Sequence, residues 1–283
     1  MKFLNRLIDF ILFGNILVAL GASCLVQSSV IQLQSQQHLL SYSLLVFFST
    51  LFIYNFQRIF YKPKLDKNVH SIRREWIFNN VGKVKLLVFI GCIGVAISFY
   101  FTSFKIIYYL SPLLFLSIAY FAPFIKLRKN PWIKLGTLVI VWTMVTAVVP
   151  ILLMDTPHLY TKESMLHIAI RFCFMAAICI PFDIRDLQID KLDNITTIPH
   201  VIGEEKTKWL AVFFMMIYNG LIIWEFNQHR ADLIIFIALV ISAIINTILV
   251  FMSSSKRNEY FYVAGIDGTM VIQGGLLMLV YYL

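Results

Sequence analysis

Three aspartates in one short stretch have types and spacing suited to chemistry on a charged ligand. Residues 181–194 read PFDIRDLQIDKLDN, in which Asp183, Asp186 and Asp190 stand at positions i, i+3 and i+7. On a helix running through this stretch, the three carboxylates would share one face. Carboxylates held so close repel one another unless a cation lies among them, and Mg²⁺ commonly binds one or two carboxylates together with phosphate oxygens. The stretch therefore predicts a Mg²⁺ site that holds a phosphorylated ligand.

A solvated loop is the alternative interpretation of the same acids. Arg185 and Lys191 stand among them and could neutralise them by simple ion pairing. Charge clusters are often no more than an exposed face of this kind. Charge alone leaves both interpretations open.

The chain around the acids has the composition of an integral membrane protein. Of its 283 residues, 59% are hydrophobic and 14% are charged, and the mean hydropathy is +0.79. Apolar runs long enough to cross the hydrocarbon layer predict an all-α polytopic protein with nine transmembrane helices in a single domain, residues 1–283. The predicted helices cover roughly 7–27, 39–55, 84–103, 106–124, 132–153, 164–181, 208–225, 233–252 and 262–282.

The basic residues predict how these helices are oriented. With the N-terminus inside, 20 of the 24 lysines and arginines fall in cytoplasmic segments, which is the usual bias of membrane proteins. The net charge of +9 then reflects topology and attraction to membrane lipids, and no nucleic-acid partner is expected. We expect a protein of the cell (inner) membrane whose two long charged loops, about 56–83 and 182–207, face the cytoplasm.

The first of these loops contains the sequence VHSIRREWIFNN. Its apolar residues Val69, Ile72, Trp76 and Ile77 recur at roughly helical spacing, with charged residues between them. An amphipathic helix lying in the membrane interface and a solvated loop anchored by a few aromatic residues are both consistent with this pattern.

The sequence DIRDLQIDKLDNITTIPHVIG resembles the second aspartate-rich motif of the UbiA superfamily of intramembrane prenyltransferases. That motif has the form D-x-R-D-x-x-x-D, followed by a basic residue, T-x-P and a glycine. The matching residues, in order, are Asp183, Arg185, Asp186, Asp190, Lys191, Thr197, Pro199 and Gly203. A second segment, YFAPFIKLRKNPWIKLG, resembles the family's Tyr-Pro-Lys/Arg segment through Tyr120, Pro123, Lys126 and Arg128.

The first aspartate-rich motif of that family has no intact counterpart. Its form N-D-x-x-D-x-x-x-D aligns with NFQRIFYKP, where Asn55 remains but Phe56, Ile59 and Pro63 stand at the acidic positions. Arg58 lies nearby instead. A guanidinium can neutralise diphosphate oxygens directly and bidentately, although an arginine at a helix end also commonly extends to the lipid headgroups.

The resemblance implies a UbiA-like bundle that transfers a prenyl group from a prenyl diphosphate to an unidentified aromatic or lipid-like acceptor, with Mg²⁺ as cofactor. It assigns Asp186 and Asp190 to the Mg²⁺–diphosphate site, and Asp183 as a third metal ligand or an acceptor-side base. The expected substrate-binding residues are Asn55, Arg58, Tyr120, Lys126, Arg128, Arg185 and Lys191.

Two other functions remain open at this stage. The missing first motif is consistent with a catalytically lapsed relative that binds an isoprenoid lipid or a partner protein. A transporter is also possible, because charged residues within membrane bundles often mark transport pathways. Against it, no pair of interrupted helices suggests two related halves.

Overall fold

A computed structural model of the chain describes residues 2–35, 39–60, 71–121, 130–154, 159–228 and 232–282. Within these ranges the chain forms only helices and their connections, which confirms the all-α prediction. The helices are α1 (Lys2–Phe13), α2 (Ile16–Gln32), α3 (Leu40–Phe60), α4 (Ile72–Asn79), α5 (Val81–Tyr100), α6 (Lys105–Phe121), α7 (Pro131–Thr143), α8 (Val149–Leu153), α9 (Lys162–Arg185), α10 (Leu187–Leu192), α11 (Ile198–Ile202), α12 (Glu204–Asn227), α13 (Leu233–Phe251) and α14 (Gly268–Tyr282). A π-helical segment, Met144–Val148, joins α7 to α8, and a second, Phe261–Ile266, precedes α14.

Seven helical stretches in the described residues are long and apolar enough to cross a membrane. They are α3, α5, α7 with α8, α9, α12, α13, and α14 with its preceding π-helical segment. The bent pair of α1 and α2 passes the same test jointly and makes an eighth, whereas α6 has only 17 residues. Each predicted apolar run therefore corresponds to a helix, but the exact count of nine spans is not confirmed.

Most membrane helices pack against the next membrane helix along the chain, and α2 also packs against α14, so that the helices form one bundle. The most extensive pairings join α3 to α5, α9 to α12, and α2 to α14, while α7 packs on α9 and α13 on α14. At Gly274, α14 lies so close to α2 that an added Cβ would lie 2.5 Å from the carbonyl oxygen of Cys24. The contact between α2 and α14 joins the two ends of the chain and closes the bundle.

The predicted first span, 7–27, is two helices that meet at 55°. The break falls at Asn15, whose φ of 60° lies in the left-handed region. Side chains of α3 satisfy the backbone groups freed there: Asn55 donates to the carbonyl of Gly14 at 2.9 Å, and Arg58 donates to the carbonyl of Phe13. Arg58 also donates to the side-chain oxygen of Asn15 at 2.7 Å. Apolar periodicity missed the break because apolar residues continue on both sides of it.

Candidate functional site

The aspartate stretch lies at the end of α9 and along α10. As the sequence suggested, α9 continues beyond Pro181, and it ends at Arg185, with Asp186 as the capping residue. The helical path then resumes in α10, where the backbone N–H of Asp190 donates to the carbonyl of Asp186 at 2.7 Å. The three aspartates therefore stand on consecutive turns of a nearly continuous helical path.

Two of these aspartates are buried and meet on one lysine. Asp183 is 6% exposed and Asp190 is 5% exposed, so the acids do not form a solvated loop. The Nζ of Lys134, in the first turns of α7, lies 2.8 Å from Oδ1 of Asp183 and 3.0 Å from Oδ2 of Asp190. Lys134 is itself only 6% exposed. Lys134 is not among the site residues predicted from the sequence.

Burial dominates the protonation behaviour of Asp190. Removal from water penalises the carboxylate and raises its pKa, whereas the Lys134 ammonium opposes this, and the pKa remains above its usual value. The other oxygen of Asp183, Oδ2, is buried and has no hydrogen-bond partner among the residues that the structure describes. Both carboxylates are therefore in an environment that favours an additional cation.

Asp186 has different partners from the other two aspartates. Arg185 donates to its two carboxylate oxygens from Nε at 2.8 Å and from Nη2 at 2.7 Å, and Arg73 of α4 approaches to 3.1 Å. Burial alone would raise the pKa of Asp186, but the two guanidinium groups hold it well below its usual range. Asp186 is thus an ionised carboxylate between two arginines.

The short helix α4 covers the aspartate stretch. Ser71 caps its N-terminus and accepts a hydrogen bond from the backbone N–H of Arg74 at 3.2 Å. Glu259 accepts hydrogen bonds from the Ser71 hydroxyl at 2.8 Å and from the backbone N–H of Arg73 at 2.7 Å. Arg74 pairs with Asp193 at 2.6 Å. Residues Ile72–Asn79 of this loop therefore form a helix, and its arginines contact the acids. Val69 lies outside the described residues, and the position of the helix in the membrane interface stays a prediction.

The remaining predicted site residues lie in several places. Arg185 is at the site, and Lys191 is exposed on α10. Asn55 and Arg58 donate hydrogen bonds to residues at the break between α1 and α2. Tyr120 lies near the end of α6, while Lys126 and Arg128 are outside the described residues.

The structure adds Lys134, Arg73, Arg74 and Glu259 to the vicinity of the acids. Of these, only Arg73 and Arg74 lay in a segment that the sequence pattern had singled out as a possible amphipathic helix.

An apolar cavity of about 500 Å³ lies between α3, α5, α6 and α7. Leu138 and Val141 of α7 line it, and they stand four and seven residues after Lys134, on the same helix face. The rings of Tyr54 and Trp142 also line the cavity, with centroids 6.5 Å apart. One face of α7 therefore leads from the charged cluster to an apolar chamber.

The acids fit a single divalent cation that arrives with its own ligands. Among the residues that the structure describes, no group of three His, Cys, Asp or Glu side chains is arranged to hold a metal ion. Asp183 and Asp190 nevertheless converge on one cationic atom, and Oδ2 of Asp183 has no hydrogen-bond partner in the described part of the chain. Mg²⁺ accepts one or two carboxylates when phosphate oxygens and water complete its octahedron. The predicted set of three carboxylate ligands stays a prediction.

No protein-family model matches the chain, and no curated protein is detectably similar in sequence. Solved structures do share its fold. A UbiA homologue from Aeropyrum pernix K1 in its apo form has a TM-score of 0.68 at 15% identity, over 94% of this chain and 98% of that one. A UbiA homologue from Archaeoglobus fulgidus bound to GPP and Mg²⁺ has a TM-score of 0.65 at 12% identity, over 96% and 100%. A digeranylgeranylglyceryl phosphate synthase has a TM-score of 0.56 at 13% identity, over 98% and 97%. The resemblance seen in the sequence is confirmed at the level of the fold.

Proposed function

We propose that this chain, which has the UbiA fold, is an intramembrane prenyltransferase formed by one domain, residues 1–283. It would transfer a prenyl group from a prenyl diphosphate to an aromatic or lipid-like acceptor with the help of Mg²⁺. The observation that carries the proposal is the convergence of Asp183 and Asp190 on one cation, on a helix face that leads to an apolar cavity. A prenyl diphosphate has the matching form, a charged head joined to an apolar tail.

The structural neighbours support the same chemistry. The Archaeoglobus fulgidus homologue is bound to GPP and Mg²⁺, and another neighbour is a digeranylgeranylglyceryl phosphate synthase. These properties belong to those proteins. Their relevance here is that the shared fold covers almost the whole chain and that this chain keeps the acids of the second motif.

The diphosphate would bind at the cytoplasmic end of the bundle, as the distribution of basic residues suggests. Asp183 and Asp190 would hold Mg²⁺, with Asp186 as a third ligand. Bound there, Mg²⁺ neutralises the negative charge that grows on the leaving diphosphate. Further donors to the diphosphate oxygens would be Arg73, Arg185 and the sequence-predicted Lys126 and Arg128.

The transfer step needs an environment that tolerates a positive carbon. The allylic C–O bond breaks, its electron pair leaves with the diphosphate, and the acceptor forms the new bond to the allylic carbon and loses a proton. Tyr54 and Trp142 line the cavity, and aromatic rings attract cations over their faces. In the alternative that the resemblance leaves open, Asp186 and Asp190 would hold the metal and Asp183 would be the acceptor-side base. Its Oδ2 atom, which has no hydrogen-bond partner among the described residues, would then take the proton.

A transfer assay on protein in lipid nanodiscs tests the proposal. Labelled geranyl, farnesyl and geranylgeranyl diphosphates would be supplied with a membrane lipid extract as the source of acceptors, in Mg²⁺ or in EDTA. We expect labelled product only with Mg²⁺, and its loss in Asp190→Asn but not in the matched control Asp232→Asn, which changes an exposed aspartate before α13. Folded protein that binds these lipids equally in EDTA and transfers none of them would contradict the proposal and favour the lapsed, lipid-binding alternative.

A further inference from the structure

A buried lysine ammonium lies between two of the carboxylates proposed to hold the metal. The Nζ of Lys134 contacts Asp183 and Asp190 at 2.8 and 3.0 Å, and all three residues are buried. Taking such groups out of water costs several kcal/mol for each ion unless the pairing is good. The position of Lys134 is fixed from the N-terminus of α7, where Asn130 accepts hydrogen bonds from the backbone N–H groups of Trp132 and Ile133.

The charges of the surrounding cluster nearly balance because of this lysine. Among the described residues that these ion pairs join, the carboxylates are those of Asp183, Asp186, Asp190 and Glu259, and the cations are Lys134, Arg73 and Arg185. Mg²⁺ gives up its hydration water reluctantly. The ammonium offsets one of the two negative charges of Asp183 and Asp190 and so reduces what a free Mg²⁺ ion gains by binding them. Without the ammonium, the two carboxylates would carry two uncompensated charges.

We infer that Lys134 makes Mg²⁺ binding conditional on the diphosphate. The ammonium holds Asp183 and Asp190 in the absence of substrate and competes with free Mg²⁺ for them. When the metal arrives with a diphosphate, the phosphate oxygens offer the ammonium a new partner, and the four-carbon stem of lysine allows it to turn towards them. Lys134 is thus a positioning residue that selects the metal–diphosphate complex over the bare ion. This inference rests on the proposed function.

The inference is tested by the affinity of the purified protein for Mg²⁺ alone, measured by titration calorimetry without any diphosphate. We expect Lys134→Met to bind Mg²⁺ about tenfold or more tightly than wild type, because the competing charge is gone. Lys134→Arg, which keeps a cation, should return the affinity towards wild type. The matched control is Lys206→Met, which removes an exposed lysine at the start of α12 and should leave Mg²⁺ affinity unchanged.

Two further results separate this inference from the proposed function. If wild type binds a non-hydrolysable geranyl diphosphate analogue with Mg²⁺, but folded Lys134→Met has wild-type affinity for Mg²⁺ alone, the inference is wrong and the proposed function stands. If wild type does not bind the analogue, but Lys134→Met still binds Mg²⁺ more tightly, the proposed function fails and the competition by Lys134 stands. Lys134→Gln, whose amide can still donate to one carboxylate, gives the same comparison if the methionine variant does not fold.

Discussion

The guanidinium of Arg73 lies 3.1 Å from the carboxylate of Asp186, across 113 positions of the chain. This contact ties α4 to the turn between α9 and α10. Because the backbone N–H of Arg73 also donates to Glu259, α4 is bound at once to the aspartate stretch and to the start of the last membrane helix. The cover over the site is therefore held by ionic contacts on two sides.

Replacing Arg73 should loosen this cover. We expect Arg73→Gln to lose about 1–3 kcal/mol of stability at neutral pH, the usual range for a lost hydrogen bond to a charged group. The apparent melting temperature in detergent measures it, and Arg6→Gln, which changes an exposed arginine on α1, is the control. Equal melting temperatures for the two variants would show that Arg73 does not hold α4 in place.

The contact between Arg73 and Asp186 also predicts a pH dependence of stability. Arg185 and Arg73 hold the pKa of Asp186 below its usual value of 3.8, so its contribution is fully present above that value and is lost as pH falls towards the lower folded-state pKa. The difference in melting temperature between wild type and Arg73→Gln should therefore stay constant from neutral pH down to about pH 3.8, the usual pKa of an aspartate. Below that pH the difference should shrink. A difference that already shrinks near neutral pH would contradict this assignment.

Sequence patterns predicted the helices, the acids and Arg185 beside them, but not Lys134 and Arg73, the cations that reach these acids from other helices. Hydropathy located every apolar run because burial in lipid requires long apolar segments, and the order of acidic residues located Asp183, Asp186 and Asp190. Lys134 is a single lysine near the start of an apolar run, and nothing in its local spacing distinguishes it from a lysine that extends to the lipid headgroups. Its contacts span 49 and 56 positions, which periodicity within one helix cannot reveal.

The broken first helix was missed for a related physical reason. Neither Gly14 nor Asn15 interrupts the apolar pattern enough to end a predicted helix, since isolated residues of both types occur within helices. The break is stabilised from α3, by hydrogen bonds between residues about 40 positions apart. Asn55 and Arg58, predicted as substrate-binding residues, have these structural contacts as well, and their predicted role at the diphosphate stays a prediction.

A change at Asn55 separates these two roles. Asn55→Ala should lower stability by about 1–3 kcal/mol, because the buried carbonyl of Gly14 loses its donor. Asn219→Ala is the control, since Asn219 donates to the carbonyl of Met215 on its own helix. We expect the melting temperature to fall mainly in Asn55→Ala. A variant with unchanged stability but weaker binding of a diphosphate analogue would contradict the structural role and favour the one predicted from sequence.

The close contact of α14 with α2 makes adjacent glycines unequal. A Cβ at Gly274 would lie 2.5 Å from the carbonyl oxygen of Cys24, whereas a Cβ at Gly275 would meet nothing within 4 Å. Gly274→Ala should therefore lose about 1–3 kcal/mol by forcing the helices apart, while Gly275→Ala should be neutral or slightly stabilising. Thermal unfolding of the two variants checks this, and equal stability would show that the helices do not approach so closely.

Filling the apolar cavity should affect the prenyl tail and spare the charged head. Leu138→Trp places a larger side chain on the cavity face of α7, and we expect it to weaken binding of a geranylgeranyl diphosphate analogue by about tenfold. Binding of inorganic diphosphate should be unchanged. Ile140→Trp is the matched control, because Ile140 lies two residues further on and is 47% exposed. Equal loss of both ligands in Leu138→Trp would indicate general damage to the bundle.

The most direct test of the central claim is equilibrium binding of a non-hydrolysable geranyl diphosphate analogue to the purified protein, with Mg²⁺ and with EDTA. Wild type would be compared with the double variant Asp183→Asn/Asp190→Asn. We predict binding that requires Mg²⁺ and is lost in the double variant while its helix content and melting transition remain. Binding of equal strength in EDTA, or unchanged in the double variant, would contradict a metal–diphosphate site at these aspartates.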